Sequence, residues 1–222
     1  MINGIKIISK GIKIVSSCVN EQRCNKKMVT ETKISILDAL ERHSDGLHLR
    51  KLTSVVDGSF PNIRRFVHAL KEEGVVKTEQ QGNLLNIKLN DSIPTLAYLK
   101  FVQTERFMAL SAPLQGVITE FLNRLPYKPV IALLVPAIAA KKHTYDLALI
   151  FQTVEHSEDI RRLLQEISAR HGITLNPIIV DYTAFERSFL DHEHVFSNRI
   201  RHECIVFVGV EYYYRLLWRF LR

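Results

Sequence analysis

One segment of the sequence has the strand–loop–strand pattern of a phosphoryl-transfer site, with a single carboxylate at the start of its second strand. Residues 131–151 read IALLVPAIAAKKHTYDLALIF, so two apolar runs enclose a polar loop and the second run opens on Asp146. Two-metal phosphoryl transfer needs several carboxylates that converge on Mg²⁺, and a glycine turn whose backbone N–H groups reach the phosphates. This segment contains a single acid and no glycine. We therefore interpret Asp146 as the remnant of a catalytic site that has been lost, and we expect no catalytic residue, no metal-binding residue and no cofactor.

The elements that position this residue belong to a chain of ordinary globular composition. Of 222 residues, 46% are hydrophobic and 24% are charged, which is typical of one or two folded domains. The apolar run PVIALLVPAIAA is shorter than the roughly 18–20 residues of a membrane span, so no membrane association is expected. Three cysteines without ligand spacing, and no secretory signal, predict a cytoplasmic protein with free thiols.

The net charge of +7 comes mostly from the N-terminal segment. Residues 1–27 contain six basic residues and one acidic residue, whereas residues 28–91 contain nine of each. The near-copies GIKIISK and GIKIVSS lie within the first segment. We interpret residues 1–27 as a disordered basic extension, with a DNA-binding arm or a surface strand pair as alternatives.

Residues 28–91 begin with two helical patterns. In ETKISILDALERHSDG, the spacing of Ile34, Leu37 and Leu40 predicts a helix with one buried stripe. In LHLRKLTSVVD, a second short helix is expected to pack through its leucines and Val56. Both segments therefore predict helices that bury one face against a shared core.

A third helix and a hairpin follow in the same segment. SFPNIRRFVHALKEEG begins with Ser59 as N-cap and Pro61 in the first turn. The apolar positions expected to face inward are Ile63, Phe66, Val67 and Leu70. The polar positions expected to remain outside are Asn62, Arg64, Arg65, His68 and Lys71. Gly82 then separates the strand-like runs VVKTEQ and NLLNIKLN, which predicts a hairpin.

Three helices and a hairpin in this order are typical of a winged helix-turn-helix. Residues 47–90 resemble winged-helix regulators of the ArsR/MarR type that are common in archaea, through the motifs SFPN, RR, EG and GN. The resemblance implies a third helix in the major groove of DNA and a wing on the backbone or minor groove. The residues expected to contact DNA are Ser59, Asn62, Arg64, Arg65, His68, Lys77, Asn83 and Lys88. A solvated polar face or a protein-binding surface is the alternative.

Residues 92–222 alternate helical and strand-like patterns. Two helices, broken near Ser111–Pro113, are expected to link the segments and to pack in the core or carry a dimer contact. Strands alternating with helices then predict an α/β layer with a mixed sheet. The terminal helix has a stripe expected to serve core or dimer packing, with a base-stacking platform for RNA as the alternative. Its members are Tyr214, Leu217, Trp218 and Leu221.

This order of elements resembles the minimal nucleotidyltransferase domains of the DNA polymerase β superfamily. Those domains carry a Gly-Ser turn for the triphosphate, a D-x-D pair on the next strand and a third acid on a later strand. Pro136-Ala137 replace the Gly-Ser turn here, Thr144 replaces the first acid, and Asn176 lies near the position of the third. The resemblance therefore implies a degenerate domain, in which Asp146 is expected to bond loop backbone or to cap the turn.

A second group of potential ligands lies in DHEHVFSNRIRHEC. Its metal-capable side chains are Asp191, His192, Glu193, His194, His202, Glu203 and Cys204. No zinc-site spacing is present among them, and the segment predicts a polar surface helix. His143 is interpreted as an ordinary loop histidine.

The prediction for the whole chain is a DNA-binding transcriptional regulator of α+β and α/β architecture that is not an enzyme. The predicted parts are an extension over 1–27, a winged helix over 28–91, a helical linker over 92–127 and an inactive nucleotidyltransferase-like domain over 128–222. The expected partners are double-stranded DNA, a second copy of the chain, and a small-molecule or protein effector. Two alternatives remain open: a divergent nucleotidyltransferase acting on RNA or protein through Asp146 and Asp181, and a scaffold that binds protein instead of DNA.

Overall fold

A helical segment and a small sheet form the first part of the described chain. The computed structural model describes residues 31–82, 84–136 and 144–222. The first three helices are α1 (Glu31–Glu41), α2 (Leu49–Val55) and α3 (Phe60–Glu72). The first three strands are β1 (Leu47–His48), β2 (Val76–Gln81) and β3 (Leu84–Leu89). The predicted extension over 1–27 lies outside the described residues.

These elements have the architecture of a winged helix-turn-helix. The strands form an antiparallel sheet in the order β1-β3-β2, and β2 and β3 are the two strands of the predicted hairpin. β1 is an additional strand of two residues, which pairs Leu47 with Ile87 across the sheet. The predicted inward residues Leu49, Leu52 and Val56 are buried.

The buried stripe of α1 differs from the prediction. Ile34 is only half-buried, while Ile36, Leu37 and Leu40 are buried together with Lys33. These four positions have the i, i+3, i+4, i+7 spacing of a single helix face. The prediction is confirmed for Leu37 and Leu40 and wrong for Ile34. The error arises because a lysine, Lys33, occupies one of the buried positions, where its ammonium pairs with Glu73 at 2.6 Å.

The second part of the chain contains a four-stranded mixed sheet, as predicted. Its strands are β4 (Ile131–Pro136), β5 (Thr144–Phe151), β6 (Thr174–Asp181) and β7 (Ile205–Val208). Their order is β6-β5-β4-β7, with β5 and β6 parallel and the other pairs antiparallel. The helices are α4 (Ile93–Met108), α5 (Ala112–Arg124), α6 (Ser157–His171), α7 (Tyr182–Leu190), α8 (Val195–Glu203) and α9 (Val210–Phe220).

Both faces of this sheet are covered by helices. Successive side chains of a strand point to opposite faces, and Leu133 accordingly belongs to one buried cluster while Leu134 belongs to the other. The first cluster includes side chains of α4, α7, α8 and α9, and the second includes side chains of α5 and α6. Both predicted helices of the region 92–127 therefore pack against the sheet.

Buried polar contacts join α1 to the helices on the first face of the sheet. Gln103 donates to the Tyr214 hydroxyl at 2.7 Å and accepts from the backbone N–H of Val206 at 2.9 Å. The Tyr214 hydroxyl donates to Glu41 of α1 at 3.1 Å, and Arg106 pairs with the same carboxylate at 2.7 Å. Thr32–Arg222 forms one compact unit, and the predicted domain boundaries stay a prediction.

The terminal helix is buried along a slightly different stripe from the predicted one. Tyr213 is fully buried and donates its hydroxyl to the Ile200 carbonyl at 3.0 Å, whereas Leu221 is 47% exposed. Leu221 was placed wrongly in the stripe because the helix ends at Phe220, one residue before it. Over the described ranges, no helix combines the length and apolar character that a bilayer crossing requires.

Candidate nucleic-acid interface

The third helix is positioned by one buried face and two defined ends. Ser59 has the extended backbone of an N-cap residue, as predicted, but its side chain forms no capping hydrogen bond. Ile63, Val67 and Leu70 are buried, which confirms the predicted inward stripe apart from Phe66, which is half-buried. Phe66 lies at the margin of the stripe, where the helix surface turns toward solvent.

The opposite face of α3 is exposed and mostly basic. Its exposed basic side chains are Arg64, Arg65, His68 and Lys71, and Glu72 is exposed in the last turn of the helix. Arg65 donates to the side-chain carbonyl of Asn62 at 2.8 Å, and its guanidinium lies 5.2 Å from the centre of the Phe66 ring. Asn62 is half-buried and accepts this hydrogen bond through its side chain. Arg65 is held by two neighbours on its own helix, while His68 lies 3.4 Å from Glu72.

The wing presents two lysines opposite each other. Lys77 and Lys88 are cross-strand partners, and both lie near Glu79, at 4.0 Å and 3.8 Å. This shared carboxylate offsets one of the two positive charges. Asn83, the third predicted residue of the wing, lies outside the described residues. Lys77 and Lys88 thus lie on one face of the hairpin, and Glu79 reduces the net positive charge of that face.

Two basic residues of α2 were missed by the sequence-based prediction. Arg50 and Lys51 are exposed, because Leu49 and Leu52 on the same short helix are buried. The letters LRKL contain this signal, since two leucines at i and i+3 leave the intervening pair outside. In a helix-turn-helix, the helix before the recognition helix crosses the DNA backbone, where such side chains could reach phosphates.

An acidic residue at the end of α3 is held by partners inside the protein. Glu73 accepts a hydrogen bond from Lys33 at 2.6 Å and another from the Tyr98 hydroxyl at 2.6 Å. Burial and the Glu73 carboxylate raise the pKa of Tyr98, so this hydroxyl stays protonated and remains a donor. The interactions join the C-terminus of α3 to α1 and α4.

Asp146 is engaged by two side chains. Its Oδ1 accepts a hydrogen bond from Asn176 Nδ2 at 3.0 Å, and its Oδ2 lies 3.7 Å from the guanidinium of Arg199. Asn176 is the direct cross-strand partner of Asp146, at the place expected for another acid. The loop of residues 137–143 lies outside the described residues, so the expected bond between Asp146 and loop backbone stays a prediction. Among the described residues, an amide and a guanidinium contact the carboxylate.

Asp181 lies far from Asp146. The two strands are parallel, and Asp146 is opposite Asn176 whereas Asp181 is opposite Phe151, five positions further along. At about 3.3 Å per residue, the two acids are separated by roughly 16 Å. The two metal ions of a two-metal site lie only about 4 Å apart, so these two carboxylates cannot hold the same pair of ions. Asp181 instead caps α7, where its carboxylate accepts from the Ala184 N–H at 2.8 Å.

The histidine-rich segment before β7 is helical only over Val195–Glu203, so the predicted helix is confirmed in part and His192 lies before it. His194 is the N-cap of α8, and its Nδ1 accepts from the backbone N–H of Ser197 at 3.3 Å. Burial raises the pKa of Cys204 to about 12, so its thiol remains protonated. Within residues 31–82, 84–136 and 144–222, no group of three or more His, Cys, Asp or Glu side chains is arranged to hold a metal ion.

The chain was compared with known proteins. It matches no protein-family model and no curated protein. AF1382 from Archaeoglobus fulgidus is 17% identical, with a TM-score of 0.34 over 39% of this chain and 97% of that protein. BpsR from Bordetella bronchiseptica, whose DNA binding is regulated by 6-hydroxynicotinic acid, is 14% identical, with a TM-score of 0.32 over 47% of this chain and 80% of BpsR.

A third solved structure is similar over a longer stretch. TrmBL2, an archaeal chromatin protein with a novel mode of DNA binding, is 14% identical, with a TM-score of 0.27 over 75% of this chain and 71% of TrmBL2. All three TM-scores lie below 0.5, so none of these likenesses establishes a shared fold. The functional interpretation of this chain rests on its own exposed basic helix.

Proposed function

We propose that the protein is a DNA-binding transcriptional regulator whose winged helix, over residues 28–91, reads double-stranded DNA. The observation that carries this proposal is the division of α3 into two faces. One face is buried through Ile63, Val67 and Leu70, and the other exposes Arg64, Arg65, His68 and Lys71. The net charge of the segment is zero, so the basic side chains matter through their position and not through their number.

The proposed contacts follow from this geometry. α3 enters the major groove, where an arginine can bond both acceptors of a guanine. Arg65 is the better candidate for such reading, because Asn62 and Phe66 restrict its side chain and reduce the entropy lost on binding. Arg50 and Lys51 of α2, with Lys77 and Lys88 of the wing, contact phosphates and set the register of the complex.

We assign no chemistry to the C-terminal part of the chain. Residues 92–127 connect the winged helix to residues 128–222, and the latter serve for dimerisation, sensing or partner binding. The engagement of Asp146 by Asn176 and Arg199 supports a non-catalytic role. Its nucleotidyltransferase-like character remains a prediction. A homodimer in the cytoplasm that reads two half-sites about one helical turn apart completes the proposal.

The first experiment is selection of bound duplexes from a random pool, followed by fluorescence anisotropy with the selected duplex. Arg64→Ala and Arg65→Ala are expected to weaken binding, by roughly 1–3 kcal/mol for an arginine that reads a guanine. Arg162→Ala is the matched control, because Arg162 is exposed on α6 and is expected to leave affinity unchanged.

The outcome that overturns the proposal is equally clear. If no duplex is enriched, or if both α3 variants bind as tightly as the Arg162 control, the recognition helix is assigned wrongly. Salt dependence gives an independent check, since each phosphate contact adds about one unit to the slope of log affinity against log salt concentration. Arg50→Ala is expected to reduce that slope without changing sequence preference.

A further inference from the structure

A second basic surface lies away from α3, in a groove bordered by the start of α4, the start of α7 and the outer face of α9. The groove has a volume of about 500 Å³. Three arginines and three aromatic residues line it: Tyr182, Tyr212, Arg215, Trp218, Arg219 and Arg222. It shares no lining residue with the surroundings of Asp146, whose contacts are Asn176 and Arg199.

Two of the three cations lie on one face of α9. Tyr212, Arg215 and Arg219 follow the spacing i, i+3, i+7, which keeps them on one side of the helix axis. Arg222 lines the groove from beyond the end of the helix at Phe220. Arg219 is paired with Glu186, and Arg222 is paired with Asp91. Within the described part of the chain, Arg215 forms no ion pair within 4 Å, although its charge helps to lower the pKa of Glu211 on the same helix. Three guanidinium groups and one carboxylate, that of Asp91, line the groove, so the charge of its lining is positive.

The groove also offers ring surfaces beside these cations. Tyr212 is 55% exposed, and Trp218 is half-buried with its ring centre 6.3 Å from that of the buried Tyr214. Tyr214 is fixed by hydrogen bonds to Gln103 and Glu41, so Trp218 packs on a rigid neighbour. The N-terminus of α4 adds the positive end of a helix dipole at the same groove, where Ser92 and Ile93 contribute to the lining.

We propose that this groove binds a free mononucleotide, with the phosphates held by the arginines and the base stacked on the exposed rings. Guanidinium groups match phosphate geometry, and aromatic side chains stack on any base. A pocket of this size lies within the usual range for small ligands, about 300–1,000 Å³. The binding site stands independently of DNA recognition by α3, because it uses other residues.

The only tryptophan in the chain lines the groove, which gives a direct readout. The full chain is titrated with ATP, AMP, adenosine and inorganic phosphate while Trp218 fluorescence is recorded. ATP is expected to change the signal saturably and to bind at least ten-fold tighter than adenosine or phosphate alone. AMP is expected to lie between, because a single phosphate meets fewer guanidinium groups.

Variants separate the groove from the rest of the surface. Arg215→Ala is expected to weaken ATP binding ten-fold or more, and it breaks no ion pair within the described part of the chain. Arg187→Ala is the control, because Arg187 is exposed on the neighbouring helix α7 and does not line the groove. Circular dichroism melting checks that both variants remain folded.

Three results would overturn the proposal. The first is an ATP signal that does not saturate or that phosphate alone reproduces with equal affinity. The second is equal ATP affinity in the Arg215 and Arg187 variants. The third is tighter binding of a short single-stranded oligonucleotide than of ATP, which would identify the groove as a nucleic-acid surface. None of these results bears on duplex binding by α3, which the anisotropy assay measures separately.

Discussion

At the scale of single residues, Asp146 shows how side-chain partners stabilise a partly buried carboxylate. A carboxylate in a partly buried position needs donors or a positive charge to offset lost hydration. Asn176 supplies a donor to one carboxylate oxygen, and Arg199 supplies a positive charge near the other. An amide at position 176 therefore gives Asp146 a hydrogen bond that an ionised carboxylate there could not donate.

The first prediction concerns Asn176→Asp. The change replaces a donor 3.0 Å from Asp146 with a second carboxylate, and like charges at this distance raise the pKa of one of the two. A folded-state pKa above the unfolded value means that stability is present at low pH and is lost as pH rises. We expect the free energy of unfolding to fall by about 1–3 kcal/mol near neutral pH and to recover as the pH falls to about 4, the unfolded-state pKa of aspartate.

Urea unfolding at two pH values measures this effect. Asn176→Ala is the control, because it removes the same hydrogen bond without adding charge and is expected to show no recovery at low pH. Equal pH dependence of the two variants would contradict the electrostatic account. Added Mg²⁺ that stabilised the aspartate variant alone would show that a cation site is close to re-forming.

The exposed residues of α3 were predictable from the sequence, whereas the burial of Lys33 in α1 was not. Arg64 and Arg65 were predictable because the apolar residues of α3 mark its inner face without ambiguity. Lys33 was not, because its burial depends on Glu73, forty residues away, and on Tyr98 beyond it. A charged residue enters a buried stripe only when a distant partner compensates it, and local spacing carries no information about that partner.

At the scale of elements, two glycines begin or end helices in the left-handed region. Gly74 ends α3 with φ of +73°, and Gly209 precedes α9 with φ of +69°. A Cβ at position 74 would meet nothing within 4 Å, whereas one at 209 would lie 1.9 Å from the Val130 carbonyl oxygen. A side chain at either position has the strain of a left-handed backbone conformation. At position 209 alone it also clashes with the backbone of Val130.

This contrast gives the second prediction. Gly74→Ala is expected to destabilise the protein by about 1–2 kcal/mol, from left-handed strain alone. Gly209→Ala is expected to cost at least about 2 kcal/mol more, because the Val130 backbone cannot move without disturbing β4. Thermal unfolding of both variants measures the difference. Equal losses would mean that the close approach between Gly209 and Val130 relaxes freely.

A hydrogen bond between Tyr98 and Glu73 connects α4 to the C-terminus of α3. The Tyr98 hydroxyl of α4 donates to Glu73 at 2.6 Å and accepts from Lys33 at 3.3 Å. Tyr98→Phe removes this hydroxyl and keeps the ring, so we expect a loss of about 1–2 kcal/mol in stability. Tyr212→Phe is the matched control, since Tyr212 is 55% exposed. Equal melting of the two variants would show that Lys33 alone holds Glu73.

Most elements of the chain were predictable, and the exceptions share a cause. Long apolar runs such as residues 131–136 and 144–151 need no partner to be identified as buried strands. β1 was not predicted, because two residues carry no periodic pattern and the strand exists only through its pairing with β3. The exposure of Arg50 and Lys51 was readable from LRKL, but their relevance depends on the position of α2 beside α3.

At the scale of the whole molecule, α4 belongs to both functional regions. Leu96 and Leu99 pack in the core of the C-terminal sheet, while Tyr98 reaches the end of α3. The start of the same helix borders the arginine-lined groove. α4 therefore contacts the sheet core, the end of α3 and the groove. Since packed protein interiors have low compressibility, a displacement of α4 at the groove is expected to move its contacts with α3 as well.

The segment before α4 connects the groove to the end of α3. Asn90 and Ser92 donate to the Gly74 carbonyl at 2.9 Å and 2.8 Å, at the residue that ends α3. Between them lies Asp91, the partner of Arg222 in the groove. A phosphate that competes for Arg222 would release Asp91 and loosen the segment that fixes Gly74. Ligand binding in the groove and DNA binding by α3 are therefore expected to oppose each other.

The last prediction is this coupling. Saturating ATP is expected to weaken duplex binding five-fold or more, because coupling free energies are typically about 1–3 kcal/mol, and the duplex must weaken ATP binding by the same factor. Anisotropy with and without ATP measures one direction, and Trp218 fluorescence with and without duplex measures the other. Asn90→Ala, which leaves the groove lining intact, is expected to reduce both effects equally. Because reciprocity is a thermodynamic requirement, unequal factors would indicate that ATP acts at a second place. A duplex affinity that ATP does not change would leave both sites standing and would remove the connection through Gly74.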